Sequence, residues 1–235
     1  MKWNAPAFDE DAALAGLYDP EDDGWHLGVQ ANASTSTIVY ELEPDDYIHE
    51  TAGVVAMFTS GGRVTTELGK FIVKQVDVDS AVAEGESVFD IFDHYSSTIG
   101  YYDLYATNGW EFSRRVLRAL GCEDSFMMPS GMLIIDRLEL YPEYRGRGIG
   151  LQAMKFLIAR YRMGAGIAAI KPFPLQFEGG IQDEPELLRQ RGLDKYPPSE
   201  VVCQRRLQAH YRKLGFRKIP RTPFMCLPLV GRLGW

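Results

Sequence analysis

Cysteine is scarce in this chain, with three residues in 235: Cys122, Cys203 and Cys226. The odd number and the lack of a CxxC pair exclude a disulfide framework, and no His/Cys cluster has zinc-ligand spacing. The expectation is a reducing, cytoplasmic setting and no metal. Long apolar runs are also missing. Nothing approaches the about 18 uninterrupted apolar residues of a membrane span, and Met1-Lys2-Trp3-Asn4 lacks the basic start and apolar run of a signal peptide. No membrane partner is expected, and the sequon Asn32-Ala33-Ser34 reads as chance. Basic residues are nearly absent from the first half: residues 1–103 hold 4 Lys/Arg against 20 Asp/Glu, a net of −16. Residues 104–235 hold 21 against 12, a net of +9, and the halves sum to −7. A general nucleic-acid binder is disfavoured by that balance, whereas the basic half alone suits an anionic ligand.

What remains is the composition of a globular protein, 46% hydrophobic and 24% charged. Residues 1–36 read as an acidic extension or arm, and residues 37–235 as a single domain with no internal repeat. Strand patterns cover Thr37–Glu43, Gly53–Thr59 and Gly69–Val78, with Ser60-Gly61-Gly62-Arg63 as a hairpin turn between the last two. Helical spacing follows over Val88–Tyr105 and Trp110–Leu120, with Gly121 as a C-terminal cap. Met132 through Leu140 is an apolar run of strand length. Leu151, Met154, Leu157, Ile158 and Tyr161 then recur on one helix face, and Gly166–Ile170 is a buried strand stopped by Pro172 and Pro174. A long polar loop, 178–198, precedes a helix capped by Ser199 with the stripe Cys203, Leu207, Tyr211 and Leu214, and short strands follow around Phe216–Ile219 and Phe224–Leu229.

Chemistry concentrates between the 132–140 strand and the next helix, in Arg145-Gly146-Arg147-Gly148-Ile149-Gly150. Glycines let main chain approach a ligand, and a helix start offers unpaired N–H groups and a positive dipole end. Together they make a phosphate cradle to which Arg145 and Arg147 add charge. The Lys-Ser/Thr of a Walker loop is absent, and the glycines lack GxGxxG spacing.

The run Pro142-Glu143-Tyr144-Arg145-Gly146-Arg147-Gly148-Ile149-Gly150 resembles the pyrophosphate loop of the GNAT family of acetyl-CoA-dependent N-acetyltransferases. A second match, His210-Tyr211-Arg212-Lys213-Leu214-Gly215-Phe216, resembles that family's Tyr-x-x-x-Gly-Phe helix ending. The resemblance spans residues 130–230. It implies an α/β (α+β) acyl-CoA N-acyltransferase fold with a mixed, twisted central β-sheet flanked by helices. It also implies acetyl-CoA as co-substrate, held by Leu138, Leu140, Arg145, Gly146, Arg147, Gly148, Ile149 and Gly150. The Leu140 N–H would polarise the thioester carbonyl, Tyr211 would protonate the leaving sulfur, and Lys171-Pro172-Phe173-Pro174 would interrupt ladder pairing where the family's strands splay.

Departures from the family accompany the match. Ile134 stands where several relatives carry a glutamate base. Asp136 and Glu139 are the nearby carboxylates, which simple alternation sends to opposite faces; Glu139 is the preferred base, with a solvated face charge, water or a group of the N-terminal half as alternatives. Tyr211 has a core role as its alternative, and Tyr95, Tyr101, Tyr102 and Tyr105 read as core before pocket. The acceptor expected is a small-molecule or peptide amine, cationic if the −16 half faces it. Alternatives are a catalytically silent CoA-binding or interaction module and an enzyme acting on aminoacyl-tRNA. Oligomeric state is left open, dimers being the commonest soluble assembly.

Overall fold

The computed structural model describes residues 26–32, 43–123 and 128–230. Among them, seven strands form one sheet: β1 (His26–Ala31), β2 (Ile48–Phe58), β3 (Val64–Val76), β4 (Gly131–Leu140), β5 (Ala165–Ile170), β6 (Arg217–Lys218) and β7 (Met225–Pro228). Their spatial order is β1-β2-β3-β4-β5-β7-β6. Every neighbouring pair is antiparallel except β4 and β5, which run parallel. Helices α1 (Val78–Glu84), α2 (Val88–Asp93), α3 (Arg114–Leu120), α4 (Ile149–Tyr161), α5 (Pro185–Gln190) and α6 (Glu200–Arg212) complete the chain. The expected mixed α/β sheet flanked by helices is therefore present.

Two apolar layers follow from the period-2 faces of the strands. On one side, Leu133 and Ile135 of β4 meet Ile149, Ala153, Met154, Leu157 and Ile158 of α4, with Leu214 and Phe216 beyond α6. On the other, Met132 and Ile134 meet Phe92, Leu104, Val116 and Leu120 of the helical layer between β3 and β4. Covered on both faces, β5 reads Ala-Gly-Ile-Ala-Ala-Ile and is buried throughout, as a parallel strand requires.

Several elements differ from the sequence reading, each for a local reason. The acidic arm was expected to end at residue 36, yet residues 26–31 are the edge strand β1, paired along their whole length with β2, because Leu27 enters the core. The rest of that arm up to residue 25, and residues 37–42 of the expected Thr37–Glu43 strand, lie outside the described residues. The expected Val88–Tyr105 helix breaks after Asp93, where the Thr98 hydroxyl reaches the Phe92 and Tyr95 carbonyls at 2.8 and 2.9 Å and competes with the helical ladder. Trp110 is not helical: α3 starts only after Ser113, and the preceding loop closes by Ala106 N–H donating to Glu111 O at 2.7 Å. The long 178–198 loop carries α5, started by Pro185 at a position where the missing N–H costs nothing. The hairpin turn at Ser60–Arg63 is as read, with Thr59 N–H donating to Arg63 O at 3.0 Å.

Gly53 marks a close approach in the sheet: a Cβ there would lie 2.1 Å from Gln30 O and 2.6 Å from the Phe71 ring. Gly53→Ala should therefore destabilise the fold by about 1–3 kcal/mol in urea unfolding, since neither backbone nor a fully buried ring can yield cheaply.

Candidate functional site

The parallel pairing of β4 with β5 covers only Gly131–Ile134 against Ala165–Ala169. β4 nevertheless runs on to Leu140, still paired to β3. β5 stops at Ile170 and gives way to Lys171-Pro172-Phe173-Pro174, whose prolines have no N–H to donate. The sheet thus opens into a wedge beyond Ile134. Tyr141 N–H donates to Leu68 O at 2.9 Å, and the register Gly69↔Leu140 and Phe71↔Leu138 then fixes the alternation. Leu138 and Leu140 are the non-bonded pairs, so their N–H and C=O groups turn away from β3 and into the wedge.

Halfway along, the register slips between Ile72↔Arg137 and Val73↔Ile135, leaving Asp136 as the extra residue of a β-bulge. The bulge corrects the expectation from simple alternation. Leu133 and Ile135 share a face with Leu138 and Leu140, so the facing parity has reset. Asp136 and Glu139 consequently lie on the same face, not opposite ones. Asp136 reaches Lys74 at 3.5 Å, and Lys74, buried on the cross-strand position of Ile134, also meets Glu50 at 2.9 Å and Ser97 at 3.2 Å and lies over the Tyr95 ring. Burial alone would lower the Lys74 ammonium; the Glu50 hydrogen bond and the Asp136 and Glu50 charges outweigh it, and the group stands above the ordinary lysine value. Ile134 is fully buried in the core. Of the tyrosines, Tyr101 and Tyr105 are core residues, whereas Tyr95 is exposed. Glu139 is engaged with Arg137 at 3.5 Å and lies 3.9 Å from Arg145.

The glycine-rich loop sits at the end of β4. A turn over Pro142–Tyr144 leads into Arg145, and α4 starts at Ile149 with Gly148 as its N-cap. Gly148 adopts φ +84, a left-handed conformation costly for any side chain, and no side chain caps the helix. Ile149 is buried, and Gly150 lies against Leu140. Arg145, expected to add charge at the loop, makes its hydrogen bonds within the chain. Its Nε donates to Leu140 O at 2.8 Å and its Nη1 to Arg191 O at 2.8 Å, so it clamps the end of β4 to the segment after α5. A second tie across the wedge is the Arg137–Glu178 ion pair. Gly146 and Arg147 are exposed.

On α6, Tyr211 packs on the same core cluster as Leu138, Leu140 and Tyr144, with its ring 6.3 Å from that of Phe216. Burial pushes its phenol up to about 12, and it is protonated at neutral pH. Gln204 of α6 donates to Pro172 O at 3.3 Å, fixing this helix to the unpaired segment after β5. The fold thus gathers the eight loop and strand residues at one corner, while Tyr211 belongs to the same apolar layer. Sequence reasoning missed the Lys74–Glu50–Asp136 cluster. Its one signal is a lysine inside the apolar run Phe71–Val76, and its partners emerge only from the strand register.

No family model, curated protein or solved structure matches the chain. Among the described residues no helix is long and apolar enough to cross a membrane, and no group of His, Cys, Asp or Glu could hold a metal ion. One cleft of about 290 Å³ lies on the helical layer around Phe89 and Trp110, and another of about 480 Å³ lies between β1 and α4. Neither is lined by wedge residues, whose mouth is crossed by the Arg137–Glu178 and Arg145–Arg191 ties. The wedge is defined by where the sheet stops pairing, not by empty volume.

Arg145→Ala strips the Leu140 and Arg191 carbonyls of their donor. It should cost about 1–3 kcal/mol in chemical denaturation, with amide exchange rising first across residues 189–193. His210, beside Tyr211, lies below the ordinary histidine value because burial, and then the Lys213 charge, disfavours the imidazolium. The unfolded chain therefore binds this proton more readily, and stability falls as pH drops through the ordinary histidine value toward the lowered one. NMR titration should find His210 below free histidine, and His210→Gln should flatten that acid limb.

Proposed function

We propose that the chain is an acetyl-CoA-dependent N-acetyltransferase of the GNAT type, moving an acetyl group directly to a primary amine. The observation that carries the reading is the wedge: past Ile134, β4 stays paired to β3 but has no partner on its β5 side, turns the Leu138 and Leu140 N–H groups into the gap, and delivers the chain to a helix start capped only by glycine. Acetyl-CoA would supply an acyl group activated as a thioester. Leu140 N–H is aimed to hold an acyl oxygen as charge develops on it. The α4 N-terminus and Gly146–Gly150 suit phosphates, with Arg147 adding charge. Arg145 acts as a positioning residue for this loop. Tyr211, a phenol protonated at neutral pH and raised further by burial, is the proton donor for a departing thiolate. Glu139 and Asp136, which the bulge brings to one face, are the carboxylates we assign to the amine proton; Arg137 and Arg145 engage the first and Lys74 the second. The acidity of residues 1–103 favours a cationic amine or basic peptide as acceptor.

A second reading, a catalytically silent CoA-binding module, is favoured by Ile134, an apolar core residue at the place where relatives of the resembled family carry a glutamate. Thermal denaturation separates the possibilities. Acetyl-CoA should stabilise the protein saturably, by about 2.7 kcal/mol at a hundredfold excess over Kd, and Gly148→Val should abolish the effect. Tyr211→Phe should keep that stabilisation but lower thiol release with amines by about 100-fold. An unchanged shift in Gly148→Val would sink the loop assignment, and binding without turnover over a broad amine panel would favour the silent module.

A further inference from the structure

We infer that the helical layer between β3 and β4 carries a second ligand site, for a small alkylated ammonium ion. From Lys74 to Arg114 the chain has no intervening Lys or Arg and eight carboxylates between Asp77 and Glu111. On this layer lies the cleft of about 290 Å³, walled by Val88, Phe89, Tyr102 and Trp110, with Glu86 and Asn108 also lining it. That volume lies at the lower end for small-molecule sites, about 300–1,000 Å³. Phe89 and Trp110 are 44% and 43% exposed, although burial of such rings is ordinarily favourable.

The walls are fixed in place before any ligand arrives. Phe89 and Tyr102 stand edge to face, 5.3 Å apart at 83°. Ser87 caps α2 and so sets the turn bearing Phe89. The loop bearing Trp110 is braced by Glu111 N–H donating to Asn108 Oδ1 at 3.2 Å and by Asn108 Nδ2 donating to Glu111 Oε2 at 3.0 Å. Three other carboxylates of the layer are engaged elsewhere: Glu84 accepts from the Tyr47 hydroxyl, Asp77 from Ser80 and Asp79 from Ser130 N–H. Glu86 is the carboxylate that lines the cleft.

Aromatic faces in a negative field select cations, and apolar walls select cations of low hydration. A primary ammonium is strongly hydrated and would leave its donors without acceptors against Val88 and Phe89. An alkylated ammonium presents methyl groups to the rings and has little hydration to lose. The lining includes no residue of β4, the 145–150 loop or α4, so this site does not depend on the acetyl-transfer reading.

Calorimetric titration of the whole chain at low salt, with choline chloride and its uncharged isostere 3,3-dimethylbutan-1-ol as probes, tests the assignment. Saturable choline binding is expected, with the isostere weaker by about tenfold or more. Trp110→Ala should weaken choline by about tenfold, and Glu86→Gln by less, with circular dichroism showing both variants folded. Equal affinity for the two probes, no saturable choline binding, or binding untouched by a folded Trp110→Ala protein would each overturn the proposal. So would binding of a trimethyllysine peptide without binding of free choline, which would make the occupant a protein.

Discussion

The candidate acyl-transfer corner depends on one failure of hydrogen bonding: β4 and β5 stop pairing after Ile134 and Ala169. A sheet normally continues until both strands end, because unpaired backbone groups are costly when buried. Here two features prevent it. The bulge at Asp136 resets the parity of β4, and Pro172 and Pro174 remove the donors that β5 would need. The carbonyl side of the open edge is partly satisfied by Arg145, which donates to Leu140 O, while the N–H groups of Leu138 and Leu140 remain directed into the gap. An edge of oriented N–H groups inside a folded protein is a ready acceptor of a carbonyl oxygen, the basis for the acyl-transfer proposal.

Charge keeps the two sides of the wedge in register. The Arg137–Glu178 pair and the Arg145 clamp join β4 to the segment between β5 and α6, and Lys74 gathers Glu50 and Asp136 on the opposite face of β4 from Leu138 and Leu140. Partly exposed pairs of this kind gain little net stability, since solvent screening and desolvation offset attraction. Their effect is to specify geometry: the bulge is held where Lys74 can reach Asp136. Tyr211 belongs to the same logic from the other layer, its phenol raised by the apolar packing around it.

Much of the C-terminal half was legible because local signals there agree with the fold. Met132 through Leu140 became β4, the stripe from Leu151 to Tyr161 became α4, and Gly148 occupies the left-handed cap position that its loop requires. The N-terminal half resisted. β1 is six residues with a glycine at its centre, too short for a pattern, and it is a strand only because β2 lies beside it. The Val88–Tyr105 periodicity was real but overridden by the Thr98 hydroxyl, a competitor that no hydrophobic pattern reveals. Asp136 and Glu139 share a face, against the alternating count, because period-2 counting assumes an unbroken ladder, and one inserted residue moves every later side chain to the other face.

The sequence by itself determined the glycine-arginine loop, the strand and helix on either side of it, and the separation of charge between the halves, because these are properties of neighbouring residues or of composition. Tertiary structure alone decided that Arg145 is a clamp, that Asp136 and Glu139 share one face of β4, and that Phe89, Tyr102 and Trp110 share a cleft. Each of those facts depends on strand register or on contacts between residues far apart in the chain. Register is set by the summed pairing of whole strands, which no local window contains.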